Sequence, residues 1–167
     1  MDVIEIAKIL KEQLGNEIIF LLIGDGAMRE QVERKISEYG LSEIVKILGM
    51  RSSDMMFSYL SAADVAIVPS YIECFGKILA EAMISGTPSI AYATGGLKYQ
   101  IENGVNGFLV PTGDFNAMAE RIVELYKNPD MRKKIAENSL KIRDKYIDIK
   151  ETLGYKLKKI VEKVLNG

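Results

Sequence analysis

Histidine is absent from the 167-residue sequence. That removes Ser-His-Asp and Cys-His catalysis, and imidazole metal sites with them. Cysteine occurs once, as Cys74, so there is no internal disulfide framework and the sequence suits a reducing compartment. No Asp-x-Asp pair is present, which leaves a metal on a diphosphate without a carboxylate anchor; no metal is expected. No apolar run approaches the roughly 20 residues of a membrane span. No signal peptide precedes the first helical segment either, so the expectation is a cytoplasmic protein. Internal repeats and low-complexity linkers are lacking too. With 22 basic against 23 acidic residues the formal charge is −1, and nothing electrostatic points to nucleic acid or another polyanion as partner.

What is present is an ordinary globular composition, 48% hydrophobic and 27% charged. The length suits one domain, residues 1–167, with a proper core. From Asp2 to Leu14 the apolar residues Val3, Ile6, Ala7, Ile9, Leu10 and Leu14 form a helical face ended by Gly15. Ile18 to Ile23 reads as a strand leading into Gly24-Asp25-Gly26, and Ala27 to Tyr39 as a helix stopped by Gly40. Val45 to Leu48 is the next strand; Ser52 or Ser53 then caps a helix to about Ala63. Beyond a central stretch taken up below, Ser89 to Ala93 is a strand, and Gly95-Gly96 opens a loop and a short helix to Glu102. Asn103-Gly104 and Asn106-Gly107 are turn signals around a last short strand, Phe108 to Val110. Asp114 caps a helix to about Tyr126, Pro129 starts another to about Tyr146, and a terminal one runs from about Ile149 to Leu165. Short apolar strands alternating with helices predict an α/β, Rossmann-like parallel sheet with helices on both faces.

The central stretch organises the chain. Val65 to Val68 is a buried strand ended by Pro69-Ser70; Glu73 sits in the turn; Gly76 opens a helix that Gly86 and Pro88 close. Glu81 lies on that helix, at the rim of an apolar face formed by Ile78, Leu79, Ala82 and Met83. Two carboxylates thus flank a helix start with free backbone N–H groups, at the end of a strand where open α/β sheets bind ligands. Taken alone, a turn carboxylate is a solvated loop residue, and a Glu near a helix start is simply favourable for the helix dipole.

Pro69-Ser70, Glu73, Phe75-Gly76, Glu81-Ala82-Met83, Gly86-Thr87-Pro88 and Gly95-Gly96 follow one another in order. With these motifs the chain resembles the retaining GT-B glycosyltransferases of group 1 (family four), which have relatives among glycogen and sucrose synthases. The resemblance runs from Asp2 to the last helix and implies the C-terminal, donor-binding half of a two-domain enzyme. It implies that Glu73 holds the donor sugar and Glu81 the ribose hydroxyls. The diphosphate is expected over Phe75, Gly76, Lys77 and Ile78, where a helix start makes an anion site and glycine permits close approach; Lys77 either adds a charge there or is solvated. By the same resemblance Gly24 and Gly26 lie beside the nucleotide, Gly49, Met50 and Arg51 beside its base, and Gly95 and Gly96 approach sugar and phosphate through their backbone. Gly24-Asp25-Gly26 lacks the third glycine of a dinucleotide fingerprint. Cys74 reads as a small packed residue, and Met50, Met55 and Met56 read better as core filler than as a binding surface. Tyr99 stands where the family commonly has Glu.

The family pattern also implies one more strand, with an Arg and a Lys on the diphosphate, ahead of Met1. That strand sits mid-sheet between those at 18–23 and 65–68, and an acceptor-binding N-terminal domain lies beyond it. The expected partners are therefore a UDP-, GDP- or ADP-sugar and that acceptor domain. Open strand edges invite self-association, and the chain alone is expected to be inactive. The terminal helix sets Ile149, Leu153, Leu157, Ile160, Val161, Val164 and Leu165 largely opposite Lys156, Lys158, Lys159 and Lys163. It packs on its own domain, crosses to the other one, or lies peripherally on a membrane surface. Three rival functions are a non-catalytic nucleotide-sugar module, a GT-B epimerase, and a glycosidase. The last would use Glu73 and Glu81 across one bond, about 5–5.5 Å or 6.5–9.5 Å apart.

Overall fold

A computed structural model describes residues 1–141. The helix expected at about 149–165, and the last turn of the one expected to reach Tyr146, lie outside the described residues. Helix α1 (Asp2–Leu14) leads to β1 (Phe20–Ile23), α2 (Arg29–Glu38), β2 (Val45–Gly49), α3 (Ser53–Ala62) and β3 (Ala66–Val68). Helix α4 (Lys77–Ile84), β4 (Ser89–Tyr92), a 3-10 turn (Gly95–Tyr99), β5 (Phe108–Val110) and α5 (Phe115–Lys127) follow. A further helix, α6, occupies 129–141.

The helix ends follow local chemistry. Ser52, rather than Ser53, caps α3, its hydroxyl accepting from the Met55 N–H at 3.4 Å. Asp114 caps α5 through the Ala117 N–H at 2.9 Å. Gly86, at φ 74°, ends α4: its N–H reaches the Met83 carbonyl and that of Thr87 reaches Ala82, the left-handed stop that glycine favours.

All strand pairs are parallel, in two groups. β1 pairs with β2, and β4 lies between β3 and β5. Among the described residues β1 and β3 are not paired with each other, so the sheet is split where the family resemblance implies an additional strand. α1 spans the split. Its Ile4, Ile6, Ala7 and Leu10 share one apolar cluster with Phe20 and Val45 from one sheet, and with Ile90, Tyr92, Phe108 and Val110 from the other. α5 adds Met118, Ile122 and Leu125 to the same cluster. Fully burying each such large side chain contributes about 1.5–3 kcal/mol, so this layer is what holds the two sheets together. On the opposite face Val68 and Ala91 pack with Leu79 and Met83 of α4 and with Leu97 and Ile101. The alternation along β4, Ile90 and Tyr92 to one side and Ala91 to the other, is the strand period expected of a covered sheet.

Two details depart from the sequence reading. Ile78 is 42% exposed, and the buried face of α4 is Leu79, Ala80, Ala82 and Met83; the helix is rotated about its axis so that Leu79 and Met83, not Ile78, meet Leu97 and Ile101. Of Met50, Met55 and Met56 only Met56 packs, against Leu60, Ala66 and Ala82. Met50 and Met55 are exposed rather than core filler, because Met50 lies in the loop after β2 and Met55 on the outer side of α3.

Candidate functional site

In the three-stranded sheet the parallel strands all end on one edge, and the loops leaving β3 and β4 there pack against each other. The β3–α4 loop closes on itself: the Gly76 N–H donates to Glu73 Oε1 at 3.0 Å. Gly76 adopts φ 80°, and a Cβ there would sit 2.3 Å from Leu97 Cδ2, so only glycine fits. The β4 loop lies along this turn. Gly96 N–H donates to the Glu73 carbonyl at 2.9 Å, and Thr94 Oγ1 to the Tyr71 carbonyl at 2.9 Å. Gln100 is buried, and its Nε2 donates to the Phe75 carbonyl. A Cβ on Gly95 would fall 1.8 Å from the Glu73 carbonyl oxygen, and one on Gly96 2.1 Å from that of Cys74. The glycine pair is thus what lets the two loops lie backbone to backbone.

Between them is a cleft of about 580 Å³ lined by Ile72, Glu73, Cys74, Thr94, Gly95, Gly96, Lys98 and Tyr99. Glu73 has no further hydrogen-bond partner among the described residues, which leaves its second oxygen for a ligand. Cys74 is exposed, not packed, because the turn points its side chain outward.

Glu81 stands apart from that cleft. Its side chain is 12% exposed and pairs with Lys77 Nζ at 3.3 Å, one helical turn away. Lys77 is therefore both mostly solvated and tied to Glu81. Gly24 and Gly26, with Asp25, line a second cavity of about 270 Å³ together with Leu22, Ile23, Met28, Arg29, Val32 and Ile47. Asp25 accepts from the Gly26 N–H at 2.8 Å and pairs with Arg29 at 3.0 Å. Gly24 donates to the Gly49 carbonyl at 3.0 Å, which brings the loops after β1 and β2 together. Met50 is 71% exposed there. Arg51 bonds the Met50 carbonyl through one terminal nitrogen, while its buried Nε has no partner among the described residues. Of the expected residues, Glu73, Gly95 and Gly96 thus line one cavity and Gly24 and Gly26 another, with Gly49 bonded to Gly24 beside the second.

Sequence reasoning missed a cluster just behind the first group. Asp2, in the first turn of α1, accepts from the Tyr92 hydroxyl at 2.6 Å and from the Tyr71 hydroxyl at 2.9 Å. The two rings meet edge to face at 5.7 Å. Burial pushes the Asp2 carboxyl up, but the hydrogen bonds from Tyr92 and Tyr71 outweigh it and hold the group below the usual carboxylate value. Burial, and then the bond to Asp2, push Tyr92 up; the Asp2 bond first, then burial, raise Tyr71. No spacing signal reveals this trio, because its members are brought together only by tertiary packing. Among the described residues no group of three or more Cys, Asp or Glu is placed to hold a metal ion, and no helix is long and apolar enough to cross a membrane.

Residues 1–142 match the family model described as Glycosyl transferases group 1. An uncharacterized glycosyltransferase of Methanocaldococcus jannaschii is 33% identical over 145 residues, covering 87% of this chain and 40% of the relative. Among solved structures, the Anabaena protein HepE in complex with UDP superposes with a TM-score of 0.80 at 27% identity, over 93% of this chain and 44% of that one. Sucrose-phosphate synthase from Thermosynechococcus elongatus superposes with a TM-score of 0.79 at 30% identity, over 93% and 42%. The chain therefore spans less than half the length of each of these proteins.

Proposed function

The chain belongs to the glycosyl transferases group 1, and from that premise we propose that it forms the donor-binding part of a glycosyltransferase that moves a sugar from a nucleotide-sugar to an acceptor with retention of anomeric configuration. The observation that carries this reading is the Glu73 turn. One carboxylate oxygen is fixed on the Gly76 N–H and the other is left to accept from sugar hydroxyls, at the mouth of a cleft and beside a helix start. The diphosphate then lies over the first turn of α4, where unpaired backbone N–H groups favour negative charge developing on the leaving group. Glu81 accepts from the ribose hydroxyls once Lys77 turns from it toward the phosphates. The loops at Gly24–Gly26 and Gly49–Arg51 carry the nucleotide and its base.

HepE was crystallised with UDP and with UDP-glucose, which makes a uridine diphosphate sugar the first donor to test. A glycosidase fits less well, since Glu81 is paired with Lys77 and does not line the cleft that holds Glu73. The acceptor is assigned to a further domain of the intact protein, the chemistry to no metal, and the protein to the cytoplasm, where an exposed Cys74 stays reduced. Thermal stabilisation of the intact protein by UDP-, GDP- and ADP-sugars tests the reading. A midpoint rise with one nucleotide series, which Glu73→Gln reduces for the nucleotide-sugar but leaves unchanged for the free nucleotide, is the expected result. No rise with any of the three counts against it.

A further inference from the structure

Three of the ties on the Glu73 loop come from the segment after β4, through Thr94, Gly96 and Gln100. A fourth comes from much farther away in sequence. Asp2 belongs to α1, the helix whose inner face joins the two sheets, and one oxygen of its carboxylate accepts from both Tyr71 and Tyr92. Tyr92 is fully buried at the end of the central strand β4, so its hydroxyl is a fixed point. Tyr71 is different. It is 57% exposed, precedes Glu73 by two residues, and leaves the strand region on a loop after Pro69-Ser70. Its ring is held by the edge contact with Tyr92 and by the Asp2 carboxylate. Its carbonyl is held by Thr94. Hydrogen bonds to an ionised acceptor are about twice as strong as neutral ones, so a carboxylate at this point anchors the loop where a neutral group would hold it less firmly.

We infer that Asp2 is a positioning residue for the site: by clamping Tyr71 against Tyr92 it sets where the Glu73 loop leaves β3, and so where Glu73 presents its free oxygen. The consequence for function rests on the reading of Glu73 as the donor-sugar carboxylate. The clamp itself does not. It makes α1, the helix that also joins the two sheets, a mechanical part of the donor site, so anything that shifts α1 moves Glu73.

Asp2→Asn and Tyr71→Phe test this in the full chain. Both changes are nearly isosteric; the first keeps one acceptor oxygen and the second keeps the ring contact with Tyr92. Tyr126→Phe is the control, since it removes another tyrosine–carboxylate bond, that to Glu17, from the end of α5. Hydrogen exchange of peptides covering 69–76 should speed up several-fold in Asp2→Asn and in Tyr71→Phe, and stay as in the parent in Tyr126→Phe. The double variant should be no faster than either single one, because both remove the same tie. Affinity for the nucleotide-sugar should fall roughly tenfold, about 1.4 kcal/mol, with free nucleoside diphosphate bound as before. Unchanged exchange over 69–76 in both variants overturns the inference, whatever the protein binds. Faster exchange in a protein whose nucleotide-sugar affinity is indifferent to Glu73→Gln leaves the clamp standing and overturns the donor-site reading instead.

Discussion

Glu73 accepts a hydrogen bond from the backbone N–H of Gly76, three residues on, at 3.0 Å. This makes the carboxylate part of the turn that delivers it. A side chain in that position loses little conformational freedom when a ligand arrives, because its rotamer is already chosen, and preorganisation of this kind lowers the cost of binding. The same bond satisfies one of the N–H groups at the start of α4, leaving the next ones for an anion.

The Gly95-Gly96 pair should tolerate nothing larger. A methyl group at either position would overlap a carbonyl oxygen of the opposing loop, at 1.8 Å from Glu73 or 2.1 Å from Cys74. Gly95 also sits at φ 43°, which L residues rarely adopt. Backbone cannot rotate away as a side chain can, so Gly95→Ala or Gly96→Ala should cost about 1–3 kcal/mol of stability, in the range of overpacked cores, and should displace Glu73. Gly26→Ala, where a Cβ meets nothing within 4 Å, should cost well under 1 kcal/mol. Urea denaturation of the three variants compares them directly.

The contrast between those glycines shows what the sequence could and could not convey. The succession of strands and helices, the helix caps and the turn at Glu73 were legible because each depends on neighbours in sequence: Asp114 reaches Ala117, and Gly86 stops α4 where Pro88 follows. The positions of Glu73 and the glycine pair were legible as a motif. What the glycines touch was not, since the resemblance turns them toward sugar and phosphate while the structure lays them on the Glu73–Cys74 backbone. The rotation of α4 was missed because Ile78 and Leu79 are equally apolar, and only the opposing Leu97 and Ile101 decide which is buried. Asp2 was invisible, because an acidic residue in a first helical turn is explained by the helix dipole alone.

The Asp2 trio predicts a pH dependence of stability. The Asp2 carboxyl is lowered in the folded state, so its contribution is present above the ordinary value of 3.8 and is lost as pH falls through the folded value. Tyr71 and Tyr92 are raised, so their contribution is present below the ordinary value of 10.0 and is lost as pH climbs through their folded values. The stability difference between parent and Asp2→Asn should therefore be flat from about pH 5 to 9 and shrink on the acid side. Melting temperatures of the pair across pH 2.5–7, taken in steps, check it; a difference that persists unchanged at the acid end contradicts the assignment.

The unpaired edges of β1 and β3 predict association. Each strand bonds only one neighbour, so its other side carries N–H and C=O groups with no strand partner among the described residues. The 167-residue chain by itself should form dimers or larger species at micromolar concentration. An added peptide with the apolar, β-branched pattern of a parallel strand should reverse this. Light scattering with and without the peptide reads both; a monodisperse monomer in the absence of peptide counts against the prediction.

The two carboxylates of the central motif should fail differently when removed. Glu73 lines the cleft beside Gly95 and Gly96, whereas Glu81 lies a turn and more along α4, largely buried and paired with Lys77. On the proposed assignment Glu81 meets the ribose, which every ligand with the right nucleotide carries, and Glu73 meets only the transferred sugar. Glu81→Gln should therefore weaken free nucleoside diphosphate and nucleotide-sugar alike. A hydrogen bond to a charged group contributes about 1.5–3 kcal/mol, so the loss should be roughly ten- to a hundredfold for both. Glu73→Gln keeps an oxygen for the Gly76 N–H, so the turn survives and free nucleotide should bind as before, while the nucleotide-sugar loses a comparable factor. Lys77→Met separates the remaining possibility. If Lys77 leaves Glu81 for the phosphates on binding, its loss should weaken both ligands, and it should also lower the free protein's melting temperature, since the Glu81 side chain, only 12% exposed, is left without its partner. Titration calorimetry of the three variants against UDP and UDP-glucose, in the intact protein, gives six affinities. Equal loss of free nucleotide binding in Glu73→Gln and Glu81→Gln would show that the two carboxylates do not divide the donor between them.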